Sequence, residues 1–359
     1  MASGETLRIA VLAPVWFPVP PTGYGGIEWV VSLLADGLTD AGHDVTLFAS
    51  GDSTTDARLE AVYETAPSEL IGHTFWELQH AVNCFERADE FDVIHDHTGL
   101  LGLALGSLLP TPLVHTVHGP LTGVPGEAYE RVCRMSARGH LVSICMNQRA
   151  PKPDLPWLAN VPNAIDVDRY PMHELSEDYL LFLGRMSEDK GAHRAIEVAQ
   201  AAGVPLRIAG KCREPMEQEY FDAFIAPHLG HGVEYLGEVS HDEKVKLLQR
   251  ARATLFPINW EEPFGLVLIE SLACGTPVLA TRRGAVPEVI EHGRTGIIVD
   301  DYRDMAKELA RADSLDPHVL RAVVRERFSP QRMVGDYLAA YEAAIALTQA
   351  PAAVPAATG

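Results

Sequence analysis

Basic residues are scarce in this sequence relative to acidic ones. The 359 residues include 29 lysines and arginines against 49 aspartates and glutamates, and the formal net charge is −20 at pH 7. A broad nucleic-acid interface needs a basic stripe, and both halves of this chain are acidic. The composition therefore argues against a nucleic-acid partner and against electrostatic attachment to an anionic membrane. Arg131, Arg134 and Arg138 leave room for one local basic patch.

Cysteine is also sparse. The five cysteines are odd in number and include no Cys-x-x-Cys pair, a pattern typical of reduced thiols in a cytosolic protein. The opening MASGETLRIAV has no basic region before its apolar run, which Pro14 and Pro18 soon interrupt. We therefore expect no signal peptide and a cytoplasmic location.

Long hydrophobic runs are missing as well. Residues 98–126 contain no Asp, Glu, Lys or Arg, but the continuous apolar part from Gly99 to Leu109 is too short to span a membrane. Pro110 and Pro112 then end it. The segment predicts a buried helix that leads into a buried strand, so membrane association is not expected.

A regular alternation of short apolar runs and amphipathic stretches dominates the sequence. LRIAVLA (7–13) is typical of a buried strand. The apolar residues that follow fall on one face of a helix: Ile27, Val30, Val31, Leu34 and Leu38. Strand–helix–strand alternation predicts a parallel sheet covered by helices on both faces.

The same pattern starts again at YLLFLGR (179–185), after a segment rich in proline and turn residues, 152–171, which is the best candidate for a linker. We therefore predict the α/β class, with two Rossmann-like parallel-sheet domains (1–168 and 169–330) that face each other across a ligand cleft. A last helix over 331–348 has no strand after it, and we expect the Ala/Pro-rich tail 349–359 to be disordered.

Two loops between a strand and a helix carry residues suited to phosphate groups. The first, PPTGYGGIE (20–28), is not a GxGxxG fingerprint, but its glycines let a ligand approach the N–H groups at a helix start. A turn that requires positive φ explains any single glycine at least as well. Three glycines within four residues favour close ligand approach, at Gly25 and Gly26 above all.

The second loop, GRMSEDKGA (184–192), places Arg185 at a strand end and Lys190 just before a helix. A cation at a helix N-terminus opposes the helix dipole, and a bound anion would remove that conflict. A surface ion pair with Glu188 or Asp189 is the alternative for either cation alone. Both cations in one loop indicate a diphosphate site.

Histidines stand at the ends of two further strand-like runs. A metal site could be drawn from His95, Asp96, His97 and His118, but neighbours in HDH point to opposite faces of a strand. We expect His118 to contact a ligand, because ligands bind at strand carboxyl ends in open α/β sheets. His95 and His97 are expected to be structural or to support a residue that contacts the ligand. The acidic pair in DVD (166–168) is interpreted as a turn and not as a metal ligand.

The most informative segment is EEPFGLVLIE (261–270), which follows the strand-like run ATLFPI. Glu262 then lies in a loop, and a helix that starts near Phe264 or Gly265 places Glu270 in its second turn. Unpaired backbone N–H groups would lie between the two carboxylates on one wall of the cleft. Carboxylates accept hydroxyl groups well, so the segment suits a polyol at each end and an anion in the middle. A nucleotide sugar has this composition.

Glu262 and Glu270, separated by seven residues, together with PFG and with CGTPVLATRRGAVPEVI (274–290), resemble the E-x7-E signature of retaining glycosyltransferases of the GT-B fold, family 4. The motifs GYGGIE, HDH, VHG, PNAID and GRMSEDKG stand in the family's order along nearly the whole chain. The resemblance implies that the N-terminal domain (1–168) binds the acceptor and that the C-terminal domain (169–330) binds most of the nucleotide sugar. It also implies that the last helix crosses back to the N-terminal domain.

The resemblance also implies an activity: transfer of a hexose from a nucleoside-diphosphate sugar, a UDP- or GDP-sugar before others, to a hydroxyl of a sugar, glycan or small-molecule acceptor. Neither a cofactor nor a metal is expected. A sugar-nucleotide epimerase, a phosphorylase and a non-catalytic nucleotide-sugar-binding protein remain open as alternatives. The acidic N-terminal half favours a sugar or glycan acceptor over a membrane lipid.

Individual roles follow from the same resemblance. Arg185 and Lys190 hold the donor diphosphate and stabilise the leaving group, while Glu262 binds donor-sugar hydroxyls and Glu270 binds the ribose. His118 contacts the sugar near its anomeric carbon, and no nucleophile is assigned. The implied catalytic group is Arg185, Lys190, Glu262 and His118. Backbone contacts to the donor come from Phe264, Gly265 and Leu266, with Gly25 and Gly26 close to the phosphates or the acceptor.

Overall fold

A parallel sheet of seven strands forms the N-terminal half of the computed structural model, which describes residues 6–23, 25–135, 138–172 and 177–349. The strands are β1 (Arg8–Leu12), β2 (Asp44–Phe48), β3 (Arg58–Glu60), β4 (Val93–Asp96), β5 (Leu113–Val117), β6 (Gly139–Ser143) and β7 (Trp157–Asn160). Their order in the sheet is β3-β2-β1-β4-β5-β6-β7.

Helices cover both faces of this sheet. They are α1 (Gly26–Asp40), α2 (Thr74–Phe85), α3 (Leu100–Gly106) and α4 (Gly123–Met135), and the last helix of the chain, here called α12 (Pro330–Gln349), also packs on the sheet. Ile9 and Val11 of β1 point toward α1 and α12, whereas Ala10 and Leu12 point toward α2 and α3. Burial on both faces explains why the strands are almost continuously apolar.

A second parallel sheet, of six strands, forms the C-terminal half. Its strands are β8 (Leu180–Leu183), β9 (Leu206–Ala209), β10 (Val233–Tyr235), β11 (Ala253–Phe256), β12 (Val278–Thr281) and β13 (Gly296–Val299), in the order β10-β9-β8-β11-β12-β13. The helices are α5 (Ala192–Ala202), α6 (Pro215–Phe224), α7 (His241–Arg250), α8 (Leu266–Ala273), α9 (Val286–Val289), α10 (Met305–Ala312) and α11 (Pro317–Arg327).

Both sheets reverse their strand order once, and this reversal positions the site. In the first sheet the chain builds outward from β1 in one direction and then continues on the other side with β4. The second sheet repeats this arrangement between β8 and β11. Ligands of doubly wound sheets bind outside the carboxyl ends of the strands at such a reversal. The prediction of two Rossmann-like parallel-sheet halves is confirmed.

Two details differ from the sequence-based expectations. The segment 152–171, interpreted as a linker, contains the edge strand β7, which pairs with β6. Helix α12 extends to Gln349, the first residue of the tail expected to be disordered, and the rest of that tail, 350–359, lies outside the described residues. In the part of the chain that the structure describes, no helix is both long and apolar enough to cross a membrane.

Candidate functional site

A cleft of ≈ 590 Å³ lies between the carboxyl ends of the two sheets. Its N-terminal wall includes residues 14–17 after β1, residues 25–28 at the start of α1, Glu77 in α2, and His118 after β5. Its C-terminal wall includes Arg185 after β8 and the segment 262–267 before and within α8. A second cavity of ≈ 200 Å³ shares Gly25, Gly26, Arg185 and Leu266 with the first and extends to Glu270. One continuous site therefore reaches both acidic residues of the E-x7-E segment.

Three cations line the C-terminal wall. Arg185 lies at the end of β8, with its guanidinium 3.9 Å from the Asp189 carboxylate and 4.0 Å from that of Glu217. Lys211, at the end of the neighbouring strand β9, was not predicted, and its Nζ lies 2.7 Å from the Glu214 carboxylate. The third cation is Lys190, in the loop between β8 and α5. Three positive groups from two adjacent strand ends, here called the cation cradle, have the charge to hold a diphosphate.

Glu262 is held in the cleft through one carboxylate oxygen. Its Oε2 accepts hydrogen bonds from Lys190 Nζ and, at 3.1 Å, from Trp260 Nε1. Lys190 Nζ also lies 4.6 Å from the centre of the Trp260 ring, a cation–π contact. The ion pair that was considered for Lys190, with Glu188 or Asp189, is replaced by this one. No residue that the structure describes bonds to Oε1 of Glu262, which leaves that oxygen for a ligand.

Glu270 repeats this arrangement. Its Oε1 accepts hydrogen bonds from Tyr170 Oη at 2.8 Å and from Lys244 Nζ at 2.6 Å, and Oε2 has no partner among the described residues. Burial and the Glu270 charge raise the pKa of Tyr170 far above its usual value, so the phenol remains a donor. Each carboxylate is thus anchored by one lysine and one neutral donor. These partners compensate the cost of burying the Glu262 and Glu270 carboxylates.

The start of α8 lies between the two carboxylates. Gly265 precedes the helix with φ of 82°, a left-handed conformation that favours glycine, so the helix begins at Leu266. The Phe264 side chain packs against Phe328, with 5.9 Å between the ring centres. Gly265, Leu266 and Val267 line the cleft, and the N–H groups of a first helical turn lack intrahelical partners. An anion at this point would bind the helix start and the cation cradle together.

Gly25 and Gly26 of the loop before α1 are required by different structural constraints. Gly25 has φ of 152°, and a Cβ there would lie 2.8 Å from Pro21 and 2.9 Å from Glu28 Oε2. This agrees with the turn explanation that the sequence left open. Gly26 begins α1, and a Cβ there would lie 3.1 Å from Leu266 Cδ1 of the other domain. Both glycines line the cleft, and Tyr24 beside them lies outside the described residues.

His118 is the cleft end of a chain of hydrogen-bonded side chains. Its Nε2 lies 2.9 Å from His97 Nδ1, and His97 Nε2 lies 3.3 Å from His95 Nδ1. The same His95 Nδ1 lies 2.7 Å from the hydroxyl of Tyr341 in α12. Burial lowers the pKa of His118 to about 3 and those of His95 and His97 well below their usual value. All three imidazoles are therefore neutral at pH 7.

The chain continues on the other side of His95. His95 Nε2 lies 2.8 Å from Thr116 Oγ1, which lies 3.0 Å from the hydroxyl of Tyr337 in α12. A neutral His95 can therefore accept from Tyr341 at Nδ1 or from Thr116 at Nε2, and the two choices give opposite proton positions along His97 and His118. In the arrangement in which His118 Nε2 donates to His97 Nδ1, the other nitrogen of His118, Nδ1, is an acceptor for a ligand hydroxyl. His95 and His97, expected to be structural or to support a residue that contacts the ligand, are hydrogen-bonded in a chain to His118.

The acidic pair at 166–168 forms a turn. Asp166 Oδ1 accepts a hydrogen bond from the Asp168 N–H at 3.1 Å, and Asp168 is 2.7 Å from the Arg325 guanidinium. Within residues 6–23, 25–135, 138–172 and 177–349, no three His, Cys, Asp or Glu side chains are grouped so that they could hold a metal ion.

Family models match both halves of the chain. Residues 24–169 match the model described as Glycosyltransferase Family 4, and residues 171–319 match Glycosyl transferases group 1. Glycogen synthase of Mycobacterium tuberculosis is 28% identical to this chain, in an alignment that covers 89% of this chain and 89% of that protein.

Solved structures share the architecture. AviGT4, a glycosyltransferase involved in avilamycin A biosynthesis, is 28% identical with a TM-score of 0.70, over 95% of this chain and 98% of that one. Anabaena Alr3699/HepE, solved in complex with UDP and glucose, is 19% identical with a TM-score of 0.72, over 94% and 99% of the two chains. The two family models together match most of the chain, and the solved structures share both of its sheets. The chain therefore belongs to the family 4 glycosyltransferases of the GT-B fold.

Proposed function

We propose that this glycosyltransferase moves a hexose, with retention of anomeric configuration, from a nucleoside-diphosphate hexose to a hydroxyl of a sugar, glycan or small-molecule acceptor. One observation carries the proposal. Three cations and the start of α8 lie between two carboxylates, each of which is anchored through one oxygen and open at the other. This order of charges matches the order of groups in a nucleotide sugar.

The donor is placed group by group. The ribose lies in the smaller cavity, where Glu270 Oε2 accepts its hydroxyls, and the hexose lies beside Glu262 Oε1 in the larger one. The diphosphate lies between them, against Arg185, Lys190 and the N–H groups of Gly265 and Leu266. The relative from Anabaena that was solved with UDP and glucose supports a UDP-hexose as the first donor to test.

Catalysis in this proposal comes from stabilisation of the leaving diphosphate. As the bond from C1 of the hexose to the phosphate oxygen breaks, negative charge grows on the diphosphate and is stabilised by Arg185 and Lys190. The sugar gains oxocarbenium character, and the acceptor hydroxyl attacks C1 from the face that the phosphate leaves. The proton of that hydroxyl passes to the departing phosphate oxygen. The products are the glycoside and the nucleoside diphosphate, and no enzyme nucleophile is assigned.

His118 orients the hexose in this scheme. Its imidazole is neutral and therefore does not repel the positive charge that develops on the sugar. A protonated imidazole at this position would destabilise the oxocarbenium-like transition state. The acceptor nitrogen Nδ1 is available for a hexose hydroxyl near C1. Metal chemistry is not required, because the cation cradle supplies the positive charge.

Incubation with UDP-, GDP- and ADP-hexoses tests the proposal. We expect one nucleotide to raise the thermal unfolding temperature, because a ligand that binds only the folded state stabilises it. With that donor and a panel of acceptors, NMR should show a product with the anomeric configuration of the donor. An inverted product would contradict retention, release of a sugar phosphate would indicate a phosphorylase, and a changed sugar stereocentre without transfer would indicate an epimerase.

A further inference from the structure

The two walls of the cleft differ in their basic residues, although both carry carboxyl groups. The cations that line it, Arg185, Lys190 and Lys211, all belong to the C-terminal domain. On the N-terminal wall the described lining residues include two carboxyl groups, Glu28 and Glu77, and neither lysine nor arginine. The donor diphosphate occupies the cationic wall, so the acceptor faces the acidic one. The chemistry of the N-terminal wall therefore limits which acceptors bind.

Glu28 is the most unusual residue of this wall. It lies in the first turn of α1, is only 4% exposed and borders the cleft. Among the described residues no other side chain hydrogen-bonds to its carboxyl group or pairs with it; only its own backbone amide does. Burial raises its pKa to about 7. A buried carboxyl group without a partner is costly, and a ligand hydroxyl in the cleft would supply one.

Glu77 adds a second carboxyl group to the wall, from α2. It is partly buried, and its pKa is raised by that burial and by the nearby Asp96 carboxylate. Asp96 itself is fixed by His115 Nδ1 at 2.6 Å and by the N–H of Thr98 at 2.9 Å. The N-terminal wall therefore carries carboxyl groups and, among its described lining residues, no lysine or arginine of its own.

Apolar side chains complete the wall. Trp16, Phe17 and Ile71 line the same cleft as Glu28 and Glu77. A sugar ring presents C–H groups on its faces and hydroxyl groups at its edge, so it matches flat apolar surfaces flanked by carboxyl groups. A phosphate or carboxylate on the acceptor would instead lie beside like charges in a partly desolvated cleft.

We propose that the N-terminal wall is an acceptor subsite for an uncharged, hydroxyl-rich ring, bound by Glu28 and Glu77 and by the apolar faces of Trp16 and Phe17, and that it rejects phosphorylated and carboxylated acceptors. This inference rests on the proposed function. It adds the class of acceptor, and it names Glu28 and Glu77 as specificity-determining residues.

Matched acceptor pairs test the selection by charge. Neutral mono- and disaccharides, among them glucose, mannose, fructose and maltose, are compared with glucose 6-phosphate, mannose 6-phosphate, fructose 6-phosphate and glucuronic acid at saturating donor. We expect kcat/KM to be at least about tenfold higher for the neutral member of a pair, because like charges repel in the cleft. Equal or better use of the anionic members would overturn the inference, as would the absence of turnover with every neutral sugar while the donor binds.

Substitutions locate the effect. Glu77→Gln removes a charge at constant size and should narrow the preference for neutral acceptors several-fold, whereas Glu28→Gln should raise the KM of a neutral acceptor. Glu69→Gln, at an exposed position outside the cleft lining, makes the same charge change as a control and should alter neither. Unchanged acceptor selection in both cleft variants, with native thermal unfolding, would contradict the proposal.

A separate measurement distinguishes this inference from the proposed function. Calorimetric titration with the nucleotide sugar reports on the cationic wall alone. If the wild-type protein binds no nucleotide sugar, the proposed function is refuted. If it binds the nucleotide sugar but shows no preference for neutral acceptors, only the acceptor inference is refuted. Donor affinity should be the same in wild type, Glu28→Gln and Glu77→Gln.

Discussion

The two halves of the cleft have the same backbone topology and opposite electrostatics. Both sheets reverse strand order after their first strand, and both send the loops of that reversal into the cleft. The C-terminal side presents three cations and two carboxylates, whereas the lining residues of the N-terminal side include the neutral imidazole of His118 and the carboxyl groups of Glu28 and Glu77. Strand order therefore determines where a ligand binds, and the residues at the strand ends determine which part of it binds there.

The two halves also control charge by different means. On the C-terminal side, ion pairs compensate the buried acids, Glu262 with Lys190 and Glu270 with Lys244. On the N-terminal side, burial itself changes protonation, because it lowers the pKa of His118 to about 3 and raises that of Glu28 to about 7. Pairing keeps groups charged for a charged ligand. Desolvation keeps His118 neutral at pH 7 and leaves Glu28 about half ionised there.

The largest effect is expected when the cationic half loses Lys190. Lys190→Ala removes a cation from the leaving diphosphate and also leaves Glu262 without its ionic partner. We expect kcat to fall by about 10²–10³-fold, the cost typical of losing one preorganised group that stabilises transition-state charge. Steady-state rates of nucleotide release measure it.

Lys307→Ala provides the control, since this lysine is exposed on α10 and, among the residues that the structure describes, pairs only with the nearby Asp304. Both variants are compared by thermal unfolding, because an unpaired buried Glu262 can destabilise the fold. A Lys190→Ala protein that is folded and turns over like wild type would contradict the assignment of the cation cradle.

A pH-dependent effect is expected on the other half, at Glu28. Its pKa is about 7 in the folded protein and near 4.5 when exposed, so the folded state binds the proton more tightly. Stability contributed by this group is present below pH 4.5 and is lost as the pH rises to about 7, with a total change of up to about 3 kcal/mol. Glu28→Gln has no such titration. The melting temperature of the variant relative to wild type should therefore increase with pH across this window, and a constant difference would refute the prediction.

The sequence predicted the frame of the site better than its contacts. Buried strands and amphipathic helices follow from periodicity, and the spacing of Glu262 and Glu270 places both on one wall. The strand β7 was missed because its four residues lie in a segment full of proline and turn residues and gain strand structure by pairing with β6. Lys211 had a visible signal, a lysine at a strand end, that was not used.

Other contacts had no local signal at all. Lys244 and Tyr170 anchor Glu270 from positions 26 and 100 residues away, and Tyr341 reaches His95 across 246 residues. Such partners come together only when the two sheets and α12 pack. Among the described residues the Glu28 carboxyl group has no side-chain partner, and this too follows only from the folded wall. In the sequence, an acid at the start of a helix would normally indicate a residue that stabilises the helix.

The two anchored carboxylates can be separated by matched substitutions. Glu262→Gln weakens contacts to the reacting hexose, so kcat should fall, by about 30-fold, whereas Glu270→Gln weakens uniform ribose binding and should raise the donor KM by about tenfold with little change in kcat. Both substitutions keep side-chain size. Full kinetics with donor varied at fixed acceptor distinguish the two, and identical effects on kcat and KM in both variants would contradict the placement of hexose and ribose.

The smallest effect tests the connection from α12 to the cleft. Tyr341→Phe removes the hydroxyl that donates to His95 Nδ1 in the arrangement proposed for catalysis, which favours the reverse tautomers of the chain, with a proton on His118 Nδ1. We expect kcat to fall by about threefold to tenfold while the donor affinity is kept, in the range of losing one oriented hydrogen bond. Tyr302→Phe removes a hydroxyl that donates to Glu197 at 2.7 Å and takes no part in the histidine chain, so it serves as the matched control. Nitrogen-15 NMR of the histidine side chains should show the His118 tautomer change in Tyr341→Phe and not in Tyr302→Phe; an unchanged tautomer in both would show that α12 supports the fold without orienting His118.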